Sequence, residues 1–144
     1  MDISRILAIK GKGVVTVLPD QTVREALSLF ADRNIGSLVV VDLSDHIVGI
    51  ITERDIIRAM VRDETVFAYS VGELMTRDVI TAMPEDDLNS VANTMTEKRI
   101  RHLPVVKDSR LIGIVSIGDI VKAQRDAYLG EVDTLQTQLI EGEG

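Results

Sequence analysis

Gly49 to Asp55 and Gly113 to Asp119 both read as a glycine, two apolar residues, a hydroxyl residue, two variable positions and an aspartate. Thr52 with Asp55, and Ser116 with Asp119, have the spacing of a helix capping box, in which hydroxyl and carboxylate satisfy free amides. A second chemistry fits the same residues. A strand end that runs into a helix N-terminus offers amides and a positive dipole end to a phosphate. A carboxylate beside that pole can accept two hydroxyls of a ribose. The box normally carries Glu or Gln at its third position; Asp is shorter, which predicts a carboxylate less committed to the backbone. Glycine before the strand end predicts close approach by another group.

Arg54 and Arg101 are candidates for phosphate contacts, because a guanidinium forks onto phosphate oxygens. For Arg54, an exposed ion pair with the adjacent Glu53 fits equally well. His102 reads as a ligand contact or a partly buried polar residue, and His46, in a polar turn, as surface. With no cysteine and two distant histidines, no metal site of ordinary spacing can be assembled. No nucleophile has an adjacent base, so the chain reads as a non-enzyme.

The elements that must hold these residues are written twice. Val15 to Asp20 (VTVLPD) recurs as Ile80 to Glu85 (ITAMPE), and Ile35 to Val41 recurs at the same offset as Ile100 to Val106. One residue is then lost in a turn before the glycine–aspartate motif repeats. Val23, Ala26, Leu27, Phe30 and Ala31 fall at helical spacing, as do Leu88, Val91, Ala92 and Met95. Thr22 with Glu25 predicts a capping box, Asp87 a lone cap, and Ser70 with Glu73 a box opening a short helix toward Met75. β-Branched runs at Leu38–Val41 and Leu103–Val106, followed by polar turns at 42–46 and 107–110, predict hairpins. Each copy therefore reads β-α-β-β-α.

The expected fold class is α/β (α+β): two pseudo-twofold-related repeats packed sheet to sheet, plus a C-terminal helix. Residues 1–62 form the first repeat with its lead-in, 63–72 a connector, 73–125 the second repeat, and 126–144 a helical extension and tail. One copy alone buries too little apolar surface to be comfortably stable. Two packed face to face share a core and create clefts on either side of the axis.

Apolar residues make up 45% of the chain and aromatics only 3%, so the core must be built of Val, Ile, Leu, Ala and Met. A net charge of −7 is the wrong sign for a nucleic-acid partner. No apolar run reaches the length of a membrane span, and the N-terminus lacks a secretory pattern, so the expectation is a soluble, cytoplasmic protein with no membrane partner. Val121, Tyr128, Val132, Leu135 and Leu139 make a stripe on a helix over 119–141. It serves either packing on its own module or a seam with a second chain.

The ordered motifs of both copies, VTVLPD with ITAMPE, LVVV with LPVV, and GIITERD with GIVSIGD, resemble a tandem pair of cystathionine β-synthase (CBS) domains, a Bateman module, of the stand-alone bacterial or archaeal type. The resemblance covers roughly Asp2 to Arg125. It implies a regulatory module that binds AMP, ADP, ATP, NAD or S-adenosylmethionine between its repeats and acts on an effector protein in trans, commonly as a homodimer. By position it implies Asp55 and Asp119 on ribose hydroxyls, with Thr52 and Ser116 on ribose or phosphate. Arg101-His102 matches a basic pair that holds phosphates in adenylate-sensing members, and Lys10 before Gly11 matches a lysine that reaches a further phosphate. Thr16, Val17, Ile35, Gly36, Ser37, Ile80, Thr81, Ile100, Leu103 and Pro104 would line adenine slots. Phosphate-rich ligands are favoured over S-adenosylmethionine. Because Gly36-Ser37 stands where the other copy has Arg101-His102, the two clefts should differ. The alternative is a ligand-independent interaction module with the same fold.

Overall fold

The computed structural model describes residues 1–11 and 13–143, with side chains described through Val132 and at Leu135. The first repeat runs β1 (Thr16–Val17), α2 (Val23–Arg33), β2 (Ser37–Val41), β3 (Ile47–Thr52) and α3 (Glu53–Arg62), preceded by α1 (Ile3–Lys10). The second contains α5 (Leu88–Lys98), β4 (His102–Lys107), β5 (Arg110–Ser116) and α6 (Ile117–Glu143), preceded by α4 (Val71–Leu74). The architecture is the expected α/β pair with a C-terminal helix.

In the first repeat β1 runs parallel to β2, and β2 antiparallel to β3, with a bulge between Val40 and Val41. The second repeat copies the hairpin down to the bulge, between Val105 and Val106. Its first strand shrinks to one residue, Ala82, whose N–H donates to Pro104 O while its carbonyl accepts from Val106 N. Each sheet buries one face under its helices. Val23, Ala26 and Phe30 of α2 close over Val17, Leu38, Val40 and Ile51. Leu88, Val91 and Met95 of α5 close over Ala82, Leu103, Val105 and Val115.

The lead-in segments are exchanged between repeats. α1, which was not among the forecast helices, lies on the second repeat, where Ile3 and Ile6 complete the core. Its first turn is tied there by Ile3 N to Asp86 O and Ser4 N to Pro84 O. Residues 66–72 and α4 lie reciprocally on the first repeat, through Val23 N to Tyr69 O and Val71 N to Gln21 O. Tyr69 also donates its hydroxyl to Asp63, which with Thr65 holds the Asp63 carboxyl below its usual range. Each repeat thus owes part of its core to the segment that introduces the other.

Of two forecast capping boxes, one forms only in part and the other does not form. Thr22 accepts from Glu25 N, but the Glu25 carboxylate takes Gln21 Nε2 at 3.0 Å instead of reaching back to the cap. Ser70 makes no side-chain cap at all; the segment is held by its backbone pairing to Gln21 and Tyr69's neighbour Val23. Asp87 caps α5 as expected, through Asn89 N and Ser90 N. On α6, Val121, Tyr128 and Leu135 are exposed, so the stripe does not pack on its own module there; the Leu139 side chain lies outside the described residues. Among the described residues no helix is long and apolar enough to cross a membrane.

Candidate functional site

The two glycine–aspartate motifs end β3 and β5 and open α3 and α6. Asp55 Oδ2 accepts from Thr52 N at 2.9 Å and Thr52 Oγ1 accepts from Asp55 N, so the shorter carboxylate closes a complete box. The expectation of an uncommitted aspartate is thereby corrected: one oxygen is committed, because the tight strand-to-helix turn brings the cap amide within reach of an Asp. Oδ1 takes no part in the box. Ser116 and Asp119 form the same pair of bonds, at 2.9 and 3.1 Å.

The start of each helix is also pinned to the opposite end of its hairpin. Glu53 N donates to Gly36 O, and Ile117 N to Arg101 O. In the first turn of α3 this uses the amides of Glu53 and Asp55. Arg54, at the second position of α3, is among the residues whose N–H has no intrahelical acceptor to reach, at the positive end of the helix.

That helix start faces a cavity of about 510 Å³ between the repeats. From the first repeat it is lined by Gly36, Ile50, Thr52, Asp55 and the first two turns of α3; from the second by Ile80 and Arg99 to His102, with Pro104. Nine of the residues singled out in sequence therefore share one space: Gly36, Thr52, Arg54, Asp55, Ile80, Ile100, Arg101, His102 and Pro104. Ile50, Ile80, Ile100 and Pro104 give this cavity apolar lining, and Asp55 and the basic side chains give it charged lining.

The other candidates lie elsewhere. Val17 and Leu103 are 1% exposed and belong to the two cores. Thr81 and Leu103 border a smaller depression beside α5. Ile35 packs against the first core, Ser37 is buried in β2, and Thr16 is half-buried in β1. Lys10 does not reach the cavity: its Nζ donates to Asp119 Oδ2 at 2.8 Å and to Ile114 O at 3.0 Å.

Arg58 and Arg99 also line the cavity and were missed. Arg58 follows Arg54 by one helical turn, a spacing that places both on one face. Arg99 gave no such signal, because it sits in the left-handed conformation, φ 56°, that ends α5. Asp78 and Thr76 enter from the segment after α4, which pairs with β3 through Ile50 and Thr76. Among the described residues none of Arg54, Arg58, Arg99 and Arg101 forms an ion pair, including the suggested Arg54–Glu53 pair.

Charge is distributed unequally between the motifs. Burial pushes the Asp119 carboxyl up, but the Lys10 ammonium and the Ser116 amide outweigh it and hold it below the usual range. Burial pushes the His102 imidazole down, and the neighbouring Lys10 and Arg101 cations add to this against Asp119 and Glu53. Among the described residues no group of three or more His, Cys, Asp or Glu could hold a metal ion.

The family model for the CBS domain matches this chain twice, over residues 8–62 and 71–126. A mitochondrial CBS domain-containing protein of Arabidopsis thaliana is 36% identical over 146 residues, covering 95% of this chain and 71% of its own. The crystal structure of a CBS-domain containing protein from Agrobacterium tumefaciens superposes with a TM-score of 0.84 at 37% identity, covering 86% of this chain and 99% of that one. A CBS domain pair crystallised with 5′-methylthioadenosine and S-adenosyl-L-methionine superposes with a TM-score of 0.77 at 31% identity, covering 88% and 98%.

Proposed function

The chain belongs to the CBS domain family, and from that premise we propose that it is a non-catalytic regulatory module that binds an adenine nucleotide in the cleft between its repeats, at Asp55. The observation that carries the reading is the set of four guanidiniums, Arg54, Arg58, Arg99 and Arg101, which converge on one cavity without a carboxylate partner among the described residues. Unpaired cations beside an apolar lining suit a ligand with a flat ring at one end and phosphates at the other.

Adenine stacks between Ile80, Ile100 and Pro104 on one side and Ile50 on the other. The ribose diol donates to the Asp55 carboxylate, Oδ1 being outside the capping box, with Thr52 alongside. Phosphates meet the Arg54 amide and the guanidiniums, aided by His102. AMP, ADP, ATP and NAD all carry these groups. S-adenosylmethionine, with which a structural neighbour was crystallised, brings a sulfonium cation into a ring of cations and is disfavoured here.

The signal passes in trans to an effector protein, and the working form is a cytoplasmic homodimer. Ile57 and Val61 of α3, 60% and 85% exposed, and Val121, Tyr128 and Leu135 of α6 supply the apolar surface for that association. A calorimetric panel of adenosine, AMP, ADP, ATP, NAD and S-adenosylmethionine tests the reading. Phosphorylated ligands bind, and Arg101→Gln weakens ATP by about 10- to 100-fold, the scale of one charge-assisted bond, while adenosine is little changed. Absence of binding by every member of the panel at millimolar concentration returns the chain to a ligand-independent interaction module.

A further inference from the structure

We propose that Lys10 is a built-in occupant of the second carboxylate position, so that each chain takes a single nucleotide; the inference rests on the nucleotide reading above. Asp55 and Asp119 are repeats of one another and cap their helices identically, yet their surroundings differ. Asp55 has no cation within ion-pair distance among the described residues and opens on the cavity. Asp119 meets the Lys10 ammonium at 2.8 Å, and the same oxygen, Oδ2, also accepts from Ser116 N.

The ammonium is delivered without much ordering at the moment of contact. Lys10 ends α1, which is fixed on the second repeat by buried Ile3 and Ile6. Gly11, at φ 84°, turns the chain away immediately afterwards, a conformation that glycine adopts freely. Nζ has two acceptors, Asp119 and the Ile114 carbonyl, so it is held from two directions. A ribose diol arriving at Asp119 must displace a preformed charge-assisted bond, one that uses an oxygen of a half-buried carboxylate. At Asp55 no ion pair among the described residues has to be broken. The exchange of lead-in segments is what creates the difference: the first repeat's lead-in crosses to the second repeat's carboxylate, whereas the reciprocal segment brings Thr76 and Asp78, and no lysine, to the Asp55 side.

Calorimetric titration with ATP, on the full chain, of wild type, Lys10→Ala and the double variant Lys10→Ala with Asp55→Asn tests this. Wild type takes one equivalent. Lys10→Ala takes two, the new site binding at least about tenfold more tightly than any residual second event in wild type, the scale set by a lost hydrogen bond to a charged group. The double variant keeps that new site. Two equivalents in wild type, one in Lys10→Ala, or a weakened single site in Lys10→Ala, which would make Lys10 a phosphate contact, each overturn the proposal. Wild type empty with the double variant binding one equivalent overturns the Asp55 reading and leaves Lys10 as the block; no binding by any of the three overturns both. A carboxyl-carbon NMR titration works without ligand: the Asp119 midpoint rises in Lys10→Ala, and an unchanged midpoint removes the ion pair on which the proposal stands.

Discussion

The Met75 side chain lies against the bare face of Gly49, its Sδ only 2.5 Å from where a Cβ on that residue would stand, with the Thr76 carbonyl at 3.0 Å. Leu7 stands over Gly113 in the same way. The close approach that these glycines signal is therefore made by the exchanged lead-in segments. Gly49→Ala should cost about 1–3 kcal/mol in denaturant unfolding, since Met75 and backbone must both shift. Gly113→Ala should cost less, because the obstacle is a terminal methyl of one side chain that can rotate away.

Arg99 holds a left-handed conformation that its counterpart Asn34 adopts with less strain, at φ 56° and 54° respectively. Arg99→Asn should leave thermal stability equal or raise it by up to about 1 kcal/mol. The same change should weaken ATP, because it removes a guanidinium from the cavity. Stability and affinity measured on one preparation check the pair; a loss of stability together with unaltered ATP affinity would make Arg99 structural.

How legible the molecule was depends on whether a feature is local. The motifs at Thr52–Asp55 and Ser116–Asp119, the paired hairpins and helices α2 and α5 were readable because caps, alternation and helical period are local. Helix α1 was not, because its helicity comes from docking Ile3 and Ile6 on a repeat more than seventy residues away, beyond any local period. For the same reason the exchange, and with it the fate of Lys10, could not be foreseen. The Ser70–Glu73 box failed because tertiary backbone pairing already satisfies that helix start. Arg54 was singled out by its type and place beside the helix start, and Arg101 with His102 by the resemblance to the family's basic pair; Arg99 was hidden by its place just past a helix end.

His102 should make the protein sensitive to mild acid. Its folded-state pKa lies below the unfolded value of about 6.5, mainly through burial. Between the two values the unfolded chain binds more protons. Stability is therefore full above about pH 6.5 and declines as the pH falls toward the folded pKa. ATP acts oppositely, since a phosphate beside the ring favours the imidazolium. Melting temperature should drop between pH 7.5 and 5.5 while ATP affinity rises, and His102→Gln should flatten both trends.

The central claim is that the Asp55 carboxylate holds a ligand as well as capping α3. Asp55→Asn separates the two roles, because the amide oxygen can still accept from Thr52 N while the charge that holds a ribose diol is gone. The most direct measurement is ATP titration of wild type and Asp55→Asn, with melting curves on the same samples. The account predicts that the melting temperature changes little and the affinity for ATP falls by about 10- to 100-fold. Equal affinity in the two proteins would contradict it and leave Asp55 as a helix cap alone.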